Sequence, residues 1–386
     1  MKRTRNWPEE TWHFNFGDVV ASQTDRCDDM ISLMGVVALD RNGQQRAPFD
    51  LACQLEITMN ELEMILRGAG ADLASVVKLA AFYVGGKEAE EEVRRAVLAR
   101  FAADVQPLLT CMPVDDLAFP GMMIEIDGFA FAREDGSAQE RFAPAPGMLG
   151  SGARLYYESS GAEVNPHDTF ERQCAAAVTH LRRSLEAANA APEDVAQVYV
   201  YYASSEETKD WKVAGDALAT AFGAKGPAVS FIPLPRLGGP HRIELDATLV
   251  VDGSARTDTE LAPWPWPGDW PFVHALRRGD AVFVSGQLAL DGKGAAPDPG
   301  QMVPQTRMAM ENIVKLLDSL GATYDHVNKV QCWYNGAASV DALTENAMIR
   351  SSYMTKPGGT STGVPVPYSP HPDCQIQIDV QAMISN

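Results

Sequence analysis

The sequence predicts an α+β protein made of three tandem β-β-α-β-α-β units. Three observations carry that prediction. A helical stretch of one character recurs three times, a β-branched or aromatic strand follows each at a fixed distance, and an alternating strand closes each unit at a second distance.

The helical stretches are 54–66, 173–185 and 305–317, each opening on Gln. Each places apolar residues at i, i+3/i+4 and i+7/i+8, as a helix lying on a sheet requires. Small-residue turns follow at Gly70-Ala71, Asn189-Ala190 and Gly321-Ala322. Strands then begin at Val76, Val195 and Val327, 22 residues after the helical Gln in all three units. A second helix ends near Phe101, Phe222 and Tyr353. The closing strands are Met123–Asp127, Arg242–Asp246 and Gln375–Asp379; their Glu or Gln position lies 49, 49 and 50 residues beyond the Val. Their apolar/polar alternation marks half-buried strands.

Units of about 115 residues can bury a core. Loop-like joins at 134–146 and 257–267 divide the chain into 1–135, 145–255 and 268–386. The Trp/Pro run 263–267 reads either as a ligand-stacking loop or as packing over a seam between units.

Composition narrows the function classes. Fifty-one acidic against 32 basic residues give a net charge of −19, which disfavours nucleic acid as a partner. No apolar run is long enough for a membrane helix, and the basic start at Lys2-Arg3 leads into Glu9-Glu10 rather than an apolar h-region. Six scattered cysteines without a CxxC pair fit reduced thiols in a cytoplasmic protein. No His/Cys cluster has ligand spacing and no nucleotide-binding glycine motif is present, so no metal and no cofactor are expected.

The third unit resembles the Rid (YjgF) family of reactive-intermediate deaminases. The likeness rests on 279–291 (GDAVFVSGQLALD), 305–312 (QTRMAMEN), Leu320-Gly-Ala322 and Val327-Asn-Lys-Val330. The first unit is similar more loosely, through Met34–Asp40 and its Ile-Glu-Ile-Asp strand, and the second mainly by register. The resemblance implies a YjgF/chorismate-mutase-like fold for each unit. It also implies one chain folding as an intramolecular pseudo-trimer with small-molecule clefts between units; further dimerisation is left open. The implied activity is cofactor-independent hydrolysis of imines or enamines to a carbonyl and ammonia.

Residue by residue, the family's catalytic-water glutamate corresponds to Glu125, Glu244 and Gln377, and Gln cannot transfer a proton. Its Ser-Gly pair corresponds to Ser160-Gly161 and Ser285-Gly286, with Met34-Gly35 in the first unit. Its carboxylate-binding arginine falls at Leu109, Val229 and Gly359, so it is missing three times. Its cysteine falls at Cys111, Phe231 and Ser361. Asn346 matches a cleft asparagine and Phe272 a cleft tyrosine. Arg236, Arg242, Arg277 and Arg350 are other candidate anchors, each reading more readily as a solvated surface charge. The glycines of 358–363 would permit a backbone nest for an anion or carbonyl.

The missing arginines point to a flatter, less anionic substrate, with Trp333, Tyr334 and Phe272 available for stacking. The leading expectation is a hydrolase or deaminase acting on a small C=N or C–N compound. A chorismatase-like hydrolase and a non-catalytic small-molecule-binding protein are the alternatives.

Overall fold

The computed structural model describes residues 1–12, 19–159, 161, 164–203, 207–336 and 340–384. The first unit contains β1 (Arg3–Asn6), β2 (Thr24–Cys27), β3 (Met30–Val37), α1 (Leu51–Gly68), β4 (Val76–Val84), α2 (Lys87–Leu98), β5 (Leu108–Val114) and β6 (Ile124–Phe131). The second contains β7 (Arg141–Phe142), β8 (Met148–Ser151), β9 (Arg154–Glu158), α3 (Phe170–Ala187), β10 (Val195–Ala203), α4 (Glu207–Ala219), β11 (Ala228–Leu234) and β12 (Ile243–Val250). The third contains β13 (Arg256–Asp258), β14 (Ala275–Arg278), β15 (Ala281–Leu288), α5 (Met302–Ser319), β16 (Val327–Asn335), α6 (Val340–Ser352), β17 (Thr360–Val366) and β18 (Ile376–Met383).

The turns after the long helices form for a local reason. Gly70, Asn189 and Gly321 have φ of 71°, 50° and 75°, the left-handed conformation that glycine and asparagine adopt at least cost. The next amide then bonds back into the last turn of the helix. Ala71 donates to Leu66, Ala190 to Leu185 and Ala322 to Leu317, each at 2.9 Å.

All three sheets have one strand order: β1-β2-β3-β6-β4-β5, β7-β8-β9-β12-β10-β11 and β13-β14-β15-β18-β16-β17. In each, the pair formed by the strands on either side of the second helix is parallel. Every unit thus has two strands more than the sequence pattern indicates. One, β5 in the first unit, stands at one end of the sheet, is buried on both faces and so lacks a period-two signal. The other, at the opposite end, is a short polar edge, Arg-Thr-Arg-Asn in β1 and Arg-Thr-Asp in β13, without an apolar face to reveal it.

Those polar edges close the ring. Arg5 of the first unit donates to the Asp325 and Val327 carbonyls of the third, both at 2.8 Å. Arg141 of the second donates to the Val105 carbonyl of the first at 2.9 Å and also reaches that of Val76. Arg256 of the third donates to the Gly226 carbonyl of the second.

Each sheet packs its helices on one face to form the core of its unit. The opposite faces meet in two apolar clusters shared by all three units. Between these clusters lie Lys78–Asp246 and Lys329–Asp127 ion pairs, both at 2.6 Å and both joining different units. The third unit's Asp379 has no such lysine opposite it. It accepts instead from Tyr199 (2.6 Å), Ser230 (3.0 Å), Trp333 (3.1 Å) and Gln197 (3.3 Å). Buried pairs of this kind contribute little net stability, and we read them as a device that fixes which unit adjoins which.

Candidate functional site

The ring order settles which carboxylate faces which wall. Glu125 of unit one faces unit three, Glu244 of unit two faces unit one, and Gln377 of unit three faces unit two.

The cleft between units three and one is a largely apolar cavity of about 120 Å³. Met34, Phe119 and Met122 line it from unit one, Leu343 and Met354 from unit three. Glu125, on β6, is only 6% exposed and makes no hydrogen bond among the described residues. Burial raises its carboxyl pKa to about 8; Asp127 adds to the rise and Lys329 opposes it. Gly35 makes room for this carboxyl, since a Cβ there would meet Glu125 Oε1 at 1.8 Å. The same Met34-Gly35 pair lies where the β3/β6 register shifts, so the glycine serves both a bulge and the acid.

The facing wall corrects the sequence reading of Arg350. Its guanidinium is buried in the cleft, 9% exposed, rather than solvated. Nε donates to Asn346 Oδ1 at 3.0 Å and Nη1 to Ser361 Oγ at 2.7 Å. Asn346 in turn donates to Thr306 at 2.8 Å, which fixes its amide. Arg350 pairs with no carboxylate among the described residues. The other three candidate arginines bond elsewhere: Arg236 with Gly85 and Asp115, Arg242 with Asp210, Arg277 with Gly279.

The sheet register also corrects the alignment of unit three by two residues. Leu79 pairs with Leu109, Val198 with Val229, and Val330 with Ser361. Ser361 therefore occupies the position read as Gly359, and Gly363 the position read as Ser361; an arginine is still absent three times. Gly359 does not line the cavity. Its carbonyl accepts from the Ser22 amide at 3.2 Å, and a Cβ would strike the Val327 carbonyl oxygen at 2.4 Å. A Cβ on Gly358 would strike the Val20 carbonyl oxygen at 1.8 Å. These glycines admit close backbone packing rather than forming an anion nest.

The cleft between units one and two is larger, about 350 Å³, and charged. Glu244 is hydrogen-bonded to His241 at 2.5 Å, and both are buried. Burial raises the Glu244 pKa, and the His241 bond opposes the rise. Gly161, at φ 69°, leaves space for the His241 ring, which a Cβ would meet at 2.3 Å. Arg94 is bound to Glu90 at 2.8 Å. Cys111 is 2% exposed and burial holds its thiol protonated, so it is not a ready nucleophile. Ser160 lies outside the described residues.

The cleft between units two and three is packed with aromatic rings. Trp264, Trp266, Trp270 and Phe272 lie against one another and against Phe231 and Trp211 of unit two, with Phe231 and Trp270 centroids 5.5 Å apart. Trp270 Nε1 donates to Asp216 at 2.8 Å, and Gly215 leaves the space its ring occupies. The Trp/Pro run thus packs over the seam. Gln377 donates to the Phe231 carbonyl at 3.0 Å. Gly286 leaves room for the Gln377 side chain. Ser285 accepts from Val229 N at 2.9 Å and donates to Val273 O at 2.6 Å, so its hydroxyl joins two units.

The structure therefore assembles Glu125, Asn346, Arg350 and Ser361 in one cleft. Glu244 and Gly161 lie in the second, and Ser285, Gly286 and Phe272 in the third, whereas Cys111 is part of the core of unit one. Trp333 faces the central network through Asp379 and not a cleft, whereas Tyr334 lines the first cleft. Sequence reasoning missed Gly35 as the seat of the acid and His241 as the partner of Glu244. For Gly35 the available signal was its match with Gly286, 90 and 91 residues before Glu125 and Gln377; Gly161 stands only 83 before Glu244, and nothing in the pattern pointed to His241.

Comparison with known proteins bears on the family and the fold. The sequence matches the family described as Endoribonuclease L-PSP over residues 21–132 and 268–384. RutC family proteins of Pyrococcus horikoshii and Pyrococcus abyssi are each 35% identical over 72 residues, 19% of this chain. The chain spans about half the length of these relatives, 55% and 54%. A chorismatase crystal structure aligns over 80% of this chain and 93% of its own, at 13% identity and TM-score 0.56. A putative endoribonuclease of Thermotoga maritima aligns over 34% of this chain and 98% of its own, at 24% identity and TM-score 0.30. No helix among the described residues is long and apolar enough to cross a membrane. With two of three units matched and one strand order in all three sheets, the chain belongs to the Endoribonuclease L-PSP (Rid/YjgF) family as a tandem three-unit member.

Proposed function

We propose that this chain is a cofactor-independent hydrolase of a small imine or enamine, acting in the cleft between units three and one. The observation that carries the reading is Glu125: a buried carboxyl with no hydrogen-bond partner among the described residues, on the wall of an apolar cavity. With a pKa of about 8 it is mostly protonated at neutral pH and can act as an acid. It donates its proton to the enamine carbon or imine nitrogen. Water adds to the resulting iminium carbon, and the Glu125 carboxylate takes the water's proton. The carbinolamine collapses with its nitrogen protonated, releasing ammonia and leaving the carbonyl. Asn346, Ser361 and Tyr334 orient the substrate from the opposite wall. Glu244 is tied to His241 in a charged cleft, and Gln377 cannot move a proton, so the chemistry is assigned to one cleft of three.

The test is release of ammonia and carbonyl from imines generated in situ by an amino-acid oxidase. Wild-type protein should accelerate it, and Glu125→Gln should reduce kcat/KM by about 10²–10⁴-fold. Activity should fall as pH rises through about 8, where the acid form is lost. No acceleration would leave a binding protein instead, and acceleration that survives Glu125→Gln would take the chemistry away from Glu125.

A further inference from the structure

We propose that the cleft between units three and one takes one aromatic ring beside Gly363 and Tyr334, so that the substrate is an imine or enamine with an aryl group close to its C=N or C–N bond. This rests on the assignment of chemistry to Glu125 and adds the substrate class.

The cleft between units two and three is the guide, because there the chain has filled the equivalent space with its own rings. Val198 and Val330 hold one register position in the two units, Val229 and Ser361 another, and both pairs stand 132 residues apart. The same step relates Trp211 to Leu343, Gly215 to Ala347 and Phe231 to Gly363. In the filled cleft Trp211, Phe231 and Trp270 pack ring against ring, with the Trp211 and Phe231 centroids 6.1 Å apart and those of Trp211 and Trp270 6.3 Å apart. In the open cleft Leu343, Ala347 and Gly363 all line the cavity, and none of them carries a ring. The plug comes from the segment between β13 and β14, which corresponds to the segment between β1 and β2. That segment of unit one gives the open cleft Trp12, Val19 and Ala21 as wall rather than as filling.

The correspondence also sets the position and size of the ring. A Cβ on Gly215 would meet Trp270 Cζ2 at 2.2 Å. Ala347 carries that methyl, so a ligand ring cannot sit as Trp270 does. Room lies instead at Gly363, where an added Cβ would meet nothing nearer than Tyr334 Cε1 at 3.6 Å. This is the place that the Phe231 ring takes in the filled cleft. The cavity of about 120 Å³ approaches the roughly 150 Å³ that holds one benzene in an apolar interior, which is room for one six-membered ring. Tyr334 offers a ring and Met34, Met122 and Met354 offer polarisable sulfur, contacts that favour an aromatic over a saturated ring. The reactive bond lies close by: Gln377 reaches the Phe231 carbonyl at 3.0 Å, and Glu125 holds the position of Gln377 in the open cleft.

Binding and turnover test the two parts separately. In calorimetry, wild-type protein should bind benzyl alcohol about 5-fold more tightly than the equally neutral cyclohexylmethanol. Equal affinities would overturn the aromatic assignment without any variant. Gly363→Phe, which installs the ring of the filled cleft, should weaken benzyl alcohol by about 10-fold or more. Unchanged affinity in a variant that melts as a folded protein would overturn the placement. In turnover, the imine that a flavin amine oxidase forms from 2-phenylethylamine should be hydrolysed with kcat/KM about 10–100-fold above that of the imine from butylamine. Equal values would overturn the substrate class while leaving the chemistry of Glu125 in place. Preferential ring binding with no acceleration of either imine would remove the chemistry and leave the aryl site standing as a binding site.

Discussion

The cleft between units three and one and the cleft between units two and three are built from the same register positions and have opposite contents. In the first, the closing-strand position is Glu125, the paired strand carries Ser361 and Gly363, and the cavity is open to an apolar ligand. In the second, the same positions are Gln377, Val229 and Phe231, and four aromatic residues from the segment between β13 and β14 occupy the space. The carboxyl and the opening occur together, and so do the amide and the plug. A buried carboxyl without a partner is costly, and the plugged cleft has exchanged it for an amide that finds a backbone acceptor. Fusing three units lets one seam keep a strained, reactive group while another becomes core.

The largest effect that would break this comparison is on turnover. Glu125→Gln should remove 10²–10⁴-fold in kcat/KM, about 3–5 kcal/mol of barrier, while leaving the fold intact. The same variant sharpens the comparison through stability. Glu125 keeps its proton up to about pH 8 when folded but releases it near pH 4.5 when unfolded. The folded state then binds more protons between those values, so stability falls as pH rises through that window. Wild-type protein should lose on the order of 2–4 kcal/mol relative to Glu125→Gln across it, measured by urea unfolding at several pH values.

Next in size is Trp270→Ala in the plugged cleft. It should cost about 3–5 kcal/mol of stability and yield no turnover, because Gln377 still faces the space. Imine hydrolysis appearing in a protein with both Trp270→Ala and Glu125→Gln would show that the two clefts differ only by the plug. Gly35→Ala comes third. The new methyl would push the carboxyl aside, costing about 10²-fold in kcat/KM with a smaller change in melting temperature. Smallest is Gln377→Glu, which replaces a donor to the Phe231 carbonyl with an acid. It should destabilise by about 1–3 kcal/mol and remain inactive.

Much of the fold was legible because amphipathic helices and alternating strands advertise their period, although the closing strands expected to be half-buried are buried along their whole length, since their polar residues face a neighbouring unit. The constant spacing from Gln to Val then revealed the triplication. Strand β17 was not legible in the same way: Thr, Gly and Pro break its pattern, and the alignment slipped by two there. Glu125 could be read as a candidate because a carboxylate at a repeated strand position stands out. Arg350 could not. On a helix whose other face is polar, an arginine looks like a surface charge, and only the neighbouring unit, remote in sequence, turns its surroundings into an interior. The role of Ser285 was hidden for the same reason, since its partners Val229 and Val273 lie on the far side of a seam.

Arg5, Arg141 and Arg256 close the ring so that the first unit docks on the third. The candidate catalytic cleft therefore combines the part of the chain synthesised early with the part synthesised late. As the nascent polypeptide emerges, units one and two can pair through Arg141 and Lys78–Asp246 while the surface bearing Glu125 waits uncovered. A ribosome-bound intermediate should thus have two finished sheets and no complete version of this cleft, and the acid acquires its dry surroundings only when the last sheet arrives.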